Sequence, residues 1–269
     1  MRKNSFKWVF AVLIIATASA VVFPAAARAM AFQQPVVVND ATAQQILSAT
    51  VRLVMFFPAE SSEPEAGESG RYKAAFGLGT LTAGEQSPVI VTHDHWGHPM
   101  EELALVEFRD AGSSLLMELP GKTFAQLIRY RDGGTLIFEA PAGLESQLGA
   151  PAGAVVQPAL AKGDTVLLLH QQDGDTGKLE LVPAVVADVI SEQGVMAFEL
   201  RTLDGTPIIH GDSGGGVWLN GRLAGNMWST QITTGWRIGN LISINTGRAG
   251  TGDCTAAGLP LSLFTAPAS

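Results

Sequence analysis

Four glycines surround Ser213 in the stretch Gly211-Asp-Ser-Gly-Gly-Gly-Val-Trp-Leu-Asn-Gly-Arg-Leu-Ala-Gly225 (GDSGGGVWLNGRLAG). Two readings of that serine compete: an ordinary polar residue in a glycine-rich loop, or a nucleophile set on a built turn. The residues that follow narrow the choice. Gly215 to Leu219, the pair Asn220-Gly221 and Leu223 to Ser229 read as strand, two-residue hairpin and strand, because Asn-Gly tolerates the positive φ angles that a tight hairpin needs. A serine placed ahead of a hairpin, rather than ahead of a helix, belongs to a β protein.

Outward from this stretch the chain keeps that character. Val51 to Phe57, Ala75 to Thr82, Pro88 to Thr92, Leu103 to Arg109, Ser114 to Leu119, Thr135 to Glu139, Thr165 to His170, Leu179 to Ile190, Val195 to Thr202 and Arg237 to Ile244 are short apolar or alternating runs separated by Gly, Pro, Asp and Asn. About a dozen strands at close spacing predict an all-β fold of sandwich or barrel type. Helical periodicity is confined to Asp40 to Leu47, which opens on a capping-type residue, and to a turn at Phe124 to Ile128. The segment 141–162 is rich in Pro, Ala and Gly and reads as a linker between halves, with 30–145 before it, 146–160 as the linker proper and 161–269 after it. Pro58 to Gly70 carries four glutamates and reads as a solvated loop; it lacks the aspartates and spacing of a calcium site. Gly247 to Ser269 is mostly small residues and predicts no element.

The 269 residues are 46% hydrophobic and 16% charged, which fits a globular protein with room for one or two cores. Residues 1–29 read as an export signal: Arg2, Lys3 and Lys7 open it, Trp8 to Phe23 is apolar, Pro24 breaks the run, and Ala27-Arg28-Ala29 has the small-x-small pattern of a cleavage site. The alternative is an uncleaved membrane anchor, although the run falls short of the roughly 20 apolar residues that span a bilayer. Cleavage removes Arg2, Lys3, Lys7 and Arg28 and no acid, moving the net charge from −8 to −12. Such an acidic surface repels phosphate backbones, and no basic stripe offsets it, so nucleic acid is excluded as a partner. Membrane association is expected only if the leader stays. Cys254 is the single cysteine, so stability rests on core burial without an intrachain disulfide, and Cys254 itself reads as a packing residue.

Gly211 to Gly215 satisfies two nucleophile patterns. In the G-x-S-x-G elbow of the α/β-hydrolases the base follows the serine in the chain. Here the last histidine is His210, so that order is impossible. The other pattern is GDSGG, and Gly211 to Ser229 resembles the nucleophile loop and following hairpin of the trypsin/chymotrypsin-like serine peptidases. Phe76 to Trp96 (FGLGTLTAGEQSPVIVTHDHW) resembles the same family's first-barrel hairpin running into Thr-x-x-His. The two blocks together cover about 40 residues and occur in the family's order, His before Ser.

The resemblance implies two six-stranded β-barrels with the active site in the cleft between them, and a secreted endopeptidase acting on protein or peptide substrates without metal or cofactor. It places the base at His95, the nucleophile at Ser213 and the oxyanion hole at the backbone N–H groups of Gly211 and Ser213. A serine hydroxyl needs an imidazole to take its proton, and a third group must hold that imidazole. The family's aspartate precedes an apolar strand, and Asp132-Gly-Gly-Thr-Leu-Ile-Phe138 comes nearest, about one residue out of register. Asp110 is the reserve, Asp94 is badly placed beside His95, and Asp132 also reads as a turn former. The substrate pocket falls to Pro207, Trp228, Ser229 and Thr230. Pro207 in place of an acid argues against a demand for Lys or Arg, and Thr230 in place of glycine narrows the pocket, so small or medium uncharged residues are expected.

Three points depart from the family or compete with it. No Ile-Val-Gly-Gly-like stretch is present to supply the amine that pairs with the aspartate before the serine, which leaves the partner of Asp212 open, with His210 or a backbone amide as substitutes. The irregular aspartate and this missing trigger admit a binding protein that keeps the fold without turnover. Finally, Thr92-His-Asp-His-Trp-Gly-His98 resembles the zinc-binding T-H-x-H-x-D-H motif of the metallo-β-lactamase fold, with His170 and Asp212 as later ligands. Gly97 replaces that motif's aspartate and no final histidine follows. On the peptidase reading His93 and His98 are loop residues beside His95, and His170 is a strand-end residue.

Overall fold

A computed structural model describes residues 39–59, 72–132, 134–155, 160–172, 177–192, 195–209, 211–229, 236–238, 241–243, 253–260 and 263–264. The expected leader lies outside the described residues. Asn39, in extended backbone, caps helix α1 (Asp40–Ser48), and its side chain accepts the Thr42 N–H at 2.8 Å. The cap is therefore one residue earlier than expected, and Asp40 becomes an acid in the first turn, where the helix dipole favours it. Ile46 is fully buried and anchors the helix.

The first half of the chain forms a seven-stranded antiparallel sheet. Its strands are β1 (Thr50–Pro58), β2 (Tyr72–Ala83), β3 (Pro88–His93), β4 (Leu105–Arg109), β5 (Leu115–Pro120), β6 (Ile128–Arg131) and β7 (Thr135–Glu139), in the order β5-β4-β1-β2-β3-β7-β6. Helix α2 (Gly121–Leu127) joins β5 to β6. The expectation of six strands gains one, because Ile128–Arg131, hidden in the sequence by its two arginines, pairs with β7. Alternation along β1 sends Leu53, Met55 and Phe57 into a core with Phe108, Phe124 and Phe138, whose rings meet edge-on or tilted at 4.7–6.4 Å. Each such side chain contributes ~1.5–3 kcal/mol by burial.

The second half is a closed six-stranded barrel, β10-β15-β12-β11-β8-β9, built from β8 (Thr165–Gln171), β9 (Leu179–Glu192), β10 (Val195–Thr202), β11 (Gly216–Leu219), β12 (Arg222–Ser229) and β15 (Asp253–Gly258). Closure leaves no open edge. β15 lies in the small-residue tail that predicted no element. Its smallness is what the barrel uses: Cys254, Ala256 and Ala257 are buried, and a Cβ on the facing Gly225 would stand 2.4 Å from the Ala257 carbonyl. The single strand expected over Arg237 to Ile244 is instead a small hairpin of β13 (Trp236–Ile238) and β14 (Leu241–Ser243).

Part of the Pro/Ala/Gly-rich segment stitches the two sheets together. Ala152 exchanges hydrogen bonds with Leu81 and Ala83 of β2 at 3.0 Å, while Gly153 and Val155 bond Leu223 of β12 at 2.8 and 2.7 Å. Backbone groups of a segment without large side chains are satisfied by both sheets at once.

Candidate active site

β3 ends at His93, and Asp94 turns the chain by donating its N–H to the Gly134 carbonyl at 3.2 Å. His95 therefore leaves the sheet into solvent. Its ring is backed by His93, with centroids 4.2 Å apart, and meets Trp228 of β12 edge-on at 6.2 Å. Its Nε2 lies 3.2 Å from the Oγ of half-buried Ser213. The two residues nominated from separate motifs are thus brought within hydrogen-bonding reach across 118 positions of sequence.

The turn that carries Ser213 is fixed on every side. The Gly214 N–H donates to Met227 O at 2.8 Å, Gly215 N–H to Asp212 O at 2.9 Å, and Leu78 N–H from the other sheet to Ser213 O at 2.9 Å. Gly214 has φ +81°, and a Cβ there would stand 2.1 Å from Leu78 O and 2.5 Å from Thr92 Oγ1. Gly211 has φ +101°. Both positions demand glycine, the first for space as well as for backbone angle.

Asp212 is fully buried, and its carboxylate accepts three hydrogen bonds: from the N–H of Gln171 at 2.8 Å, the N–H of Ile209 at 2.9 Å and His170 Nδ1 at 2.9 Å. Its partner is thus His170 on β8 together with backbone amides; His210 lies outside the described residues. The hydrogen bond to Asp212 raises the His170 pKa above its ordinary 6.5, against the lowering effect of burial, and the charges of Asp212, Glu180 and Asp204 add to the rise. The His170 Nε2 faces Glu180 Oε1 at 3.9 Å.

The aspartates nominated to orient His95 are placed differently from one another. Asp132 Oδ1 accepts the N–H groups of Gly134 and Thr135 at 2.9 and 2.7 Å, and its Oδ2 accepts the Tyr130 hydroxyl at 2.8 Å. These bonds tie it to its own turn and to β6. Burial first, then the bond to Asp132, raises the Tyr130 pKa. Asp94 is gripped by Arg131 Nε at 3.0 and 3.1 Å, and Asp110 accepts the Ser114 N–H at 2.8 Å inside the β4–β5 turn. Sequence reasoning missed a polar pair joining the two sheets: buried Thr135 Oγ1 lies 3.2 Å from Asn226 Oδ1, and Asn226 Nδ2 donates to Thr92 O at 3.2 Å. No local signal marks Asn226, because its partners come from the other sheet.

Of the pocket residues, Trp228 is buried beside His95, Ser229 ends β12, Pro207 is exposed, and Thr230 lies outside the described residues. The other histidines of the Thr92 to His98 cluster are taken up in ring contacts: buried His93 lies between His95 and Trp96, on which it stacks at 3.9 Å, and His98 stacks on Phe57 at 4.8 Å. Among the described residues no group of three His, Cys, Asp or Glu side chains is arranged to hold a metal.

A sheet and a closed β-barrel that meet at a histidine and a serine define the fold of the trypsin-like, double-barrel serine peptidases. The chain is similar to the active form of the Rv3671c protease from M. tuberculosis, with TM-score 0.53 and 16% identity over 85% of this chain and 83% of that one. It is also similar to the HtrA-type protease AlgW with a bound tripeptide, with TM-score 0.51 and 13% identity over 81% of this chain and 59% of that one. No protein-family model and no curated protein sequence matches the chain. No helix among the described residues is long and apolar enough to cross a membrane.

Proposed function

We propose that the chain is a secreted or surface-held serine endopeptidase that hydrolyses peptide bonds through an acyl-enzyme. The observation that carries this reading is the 3.2 Å approach of His95 Nε2 to Ser213 Oγ. In it, His95 takes the Ser213 hydroxyl proton as Oγ attacks the substrate carbonyl carbon, and the carbonyl electron pair moves onto oxygen. The N–H groups of Gly211 and Ser213 receive that oxyanion. Collapse expels the amine with the proton from His95, and a water molecule, deprotonated by the same imidazole, releases the acid and restores Ser213.

Asp132, the orienter expected from the sequence, also clasps the β6–β7 turn that presents Thr135 beside His93, and the His95 ring packs against His93 and Trp228. The likeness to the fold of proteases, the Rv3671c protease and the HtrA-type AlgW, supports a protein or peptide substrate. Pro207 in place of an acid and Thr230 in place of glycine favour a small or medium uncharged residue before the scissile bond, and a peptide library cleaved mainly after Lys or Arg overturns that preference. Export follows from residues 1–29, and an N-terminus at Met30 in the secreted protein tests it.

A fluorophosphonate probe tests the enzyme reading itself. Labelling of the folded protein that disappears in Ser213→Ala is expected. No labelling of folded protein overturns it in favour of a binding protein with the same fold.

A further inference from the structure

The strand β8 ends in a residue that touches the nucleophile turn twice. Gln171 is 1% exposed; its N–H donates to Asp212 Oδ1 at 2.8 Å, and its side-chain Nε2 donates to Gly211 O at 2.5 Å. Its Oε1 accepts from Arg52 Nη1. An arginine is a donor only, so Arg52 fixes which end of the amide is oxygen and hence directs the NH2 group at Gly211. Arg52 belongs to β1 of the other sheet, is 4% exposed, and is itself held by the carbonyls of Ala111, at 3.2 Å from Nε, and of Gly177.

We propose that Gln171 is a positioning residue that sets the oxyanion-binding turn, and that Arg52 couples its orientation to the seating of the first sheet on the barrel. Gly211 and Asp212 are the two residues ahead of Ser213, and both are tied to one side chain and one amide of Gln171. With φ at +101°, Gly211 has wide backbone freedom, and the bond to its carbonyl removes that freedom. The N–H groups of Gly211 and Ser213 then keep one direction in the free protein, which is the preorganisation that oxyanion stabilisation requires. This inference rests on the peptidase reading of Ser213.

The variant Gln171→Glu separates the two contacts. A carboxylate still accepts from Arg52, so the link between the sheets survives, but it sets an oxygen against the Gly211 carbonyl in place of a donor. Steady-state hydrolysis of a peptide ester by the full chain, with a melting curve for each variant, is the measurement. The expected result is a fall in kcat of ~10²-fold with KM within about threefold of the wild type, the loss of an interaction made in the transition state. An unchanged kcat in folded Gln171→Glu overturns the proposal. Where Gln171→Glu does not fold, Arg52→Lys decides: its ammonium keeps the charge but lacks the fork that reaches Gln171, Ala111 and Gly177, so kcat falls ~10-fold at constant KM. Failure of both variants to fold makes the residues purely structural and also overturns it. Wild-type protein that takes no fluorophosphonate label removes the peptidase reading, whereas labelled wild type with a fully active Gln171→Glu removes this inference alone.

Discussion

His170 Nδ1 and the buried carboxylate of Asp212 meet at 2.9 Å, next to the turn that carries Ser213. In the family that the sequence resembles, an amine freed by cleavage fills this place. Here a side chain of the same barrel fills it, so the carboxylate beside Ser213 is satisfied by the folded chain itself.

That pairing predicts a pH dependence of stability. Folding raises the His170 pKa above 6.5, so the contribution is whole below about pH 6.5 and is lost as pH rises through the folded pKa. The charges of Asp212, Glu180 and Asp204 all act on the ring in the same direction. The melting temperature should fall over that upper range. His170→Gln should flatten this limb and destabilise at low pH by ~1.5–3 kcal/mol, the worth of a hydrogen bond to a charged group. A limb that survives unchanged in His170→Gln assigns it elsewhere.

Asp132→Asn distinguishes a turn clasp from an orienter. With its carboxylate spent on Gly134, Thr135 and Tyr130, the substitution should lower the melting temperature while leaving kcat/KM within about fivefold of wild type. An orienting aspartate would instead cost ~10⁴-fold in kcat. Hydrolysis of a chromogenic peptide separates the two outcomes.

Gly214→Ala should destabilise by ~2 kcal/mol or more, since it combines a positive φ with a Cβ 2.1 Å from a backbone carbonyl. Denaturant unfolding measures the loss. Gly97→Ala is the control: it shares a positive φ but has nothing within 4 Å, so only the backbone cost applies.

The zinc-motif resemblance yields a chemical test. Peptide hydrolysis should be unaffected by prolonged dialysis against a strong chelator, and His98→Ala should remain active, because His98 stacks on Phe57 and serves no step of the acyl transfer. Activity lost to chelation and restored by stoichiometric zinc would reinstate the metal reading.

Most strands were legible as short apolar or alternating runs: β1 and β7 are buried along nearly their whole length and read as apolar runs, while β4 alternates. Two elements were not. β6 is short and carries Arg129 and Arg131 on its exposed positions, and β15 is built from alanine, cysteine and glycine, whose small side chains give no hydrophobic alternation. Barrel closure, a long-range event, makes those small residues favourable by letting backbones approach.

The sequence by itself determined the all-β class, the exclusion of a hydrolase elbow through the order of histidine and serine, and the identity of Ser213 and His95 as candidates. Motif spacing and side-chain period are local properties, and these conclusions need nothing else. The tertiary structure alone decided which buried groups face one another: that Asp132 is bound to its own turn, that Asp212 meets His170, and that Arg52 reaches Gln171 across 119 positions. A buried polar group must find partners wherever the fold supplies them, and the distance along the chain places no limit on where that is.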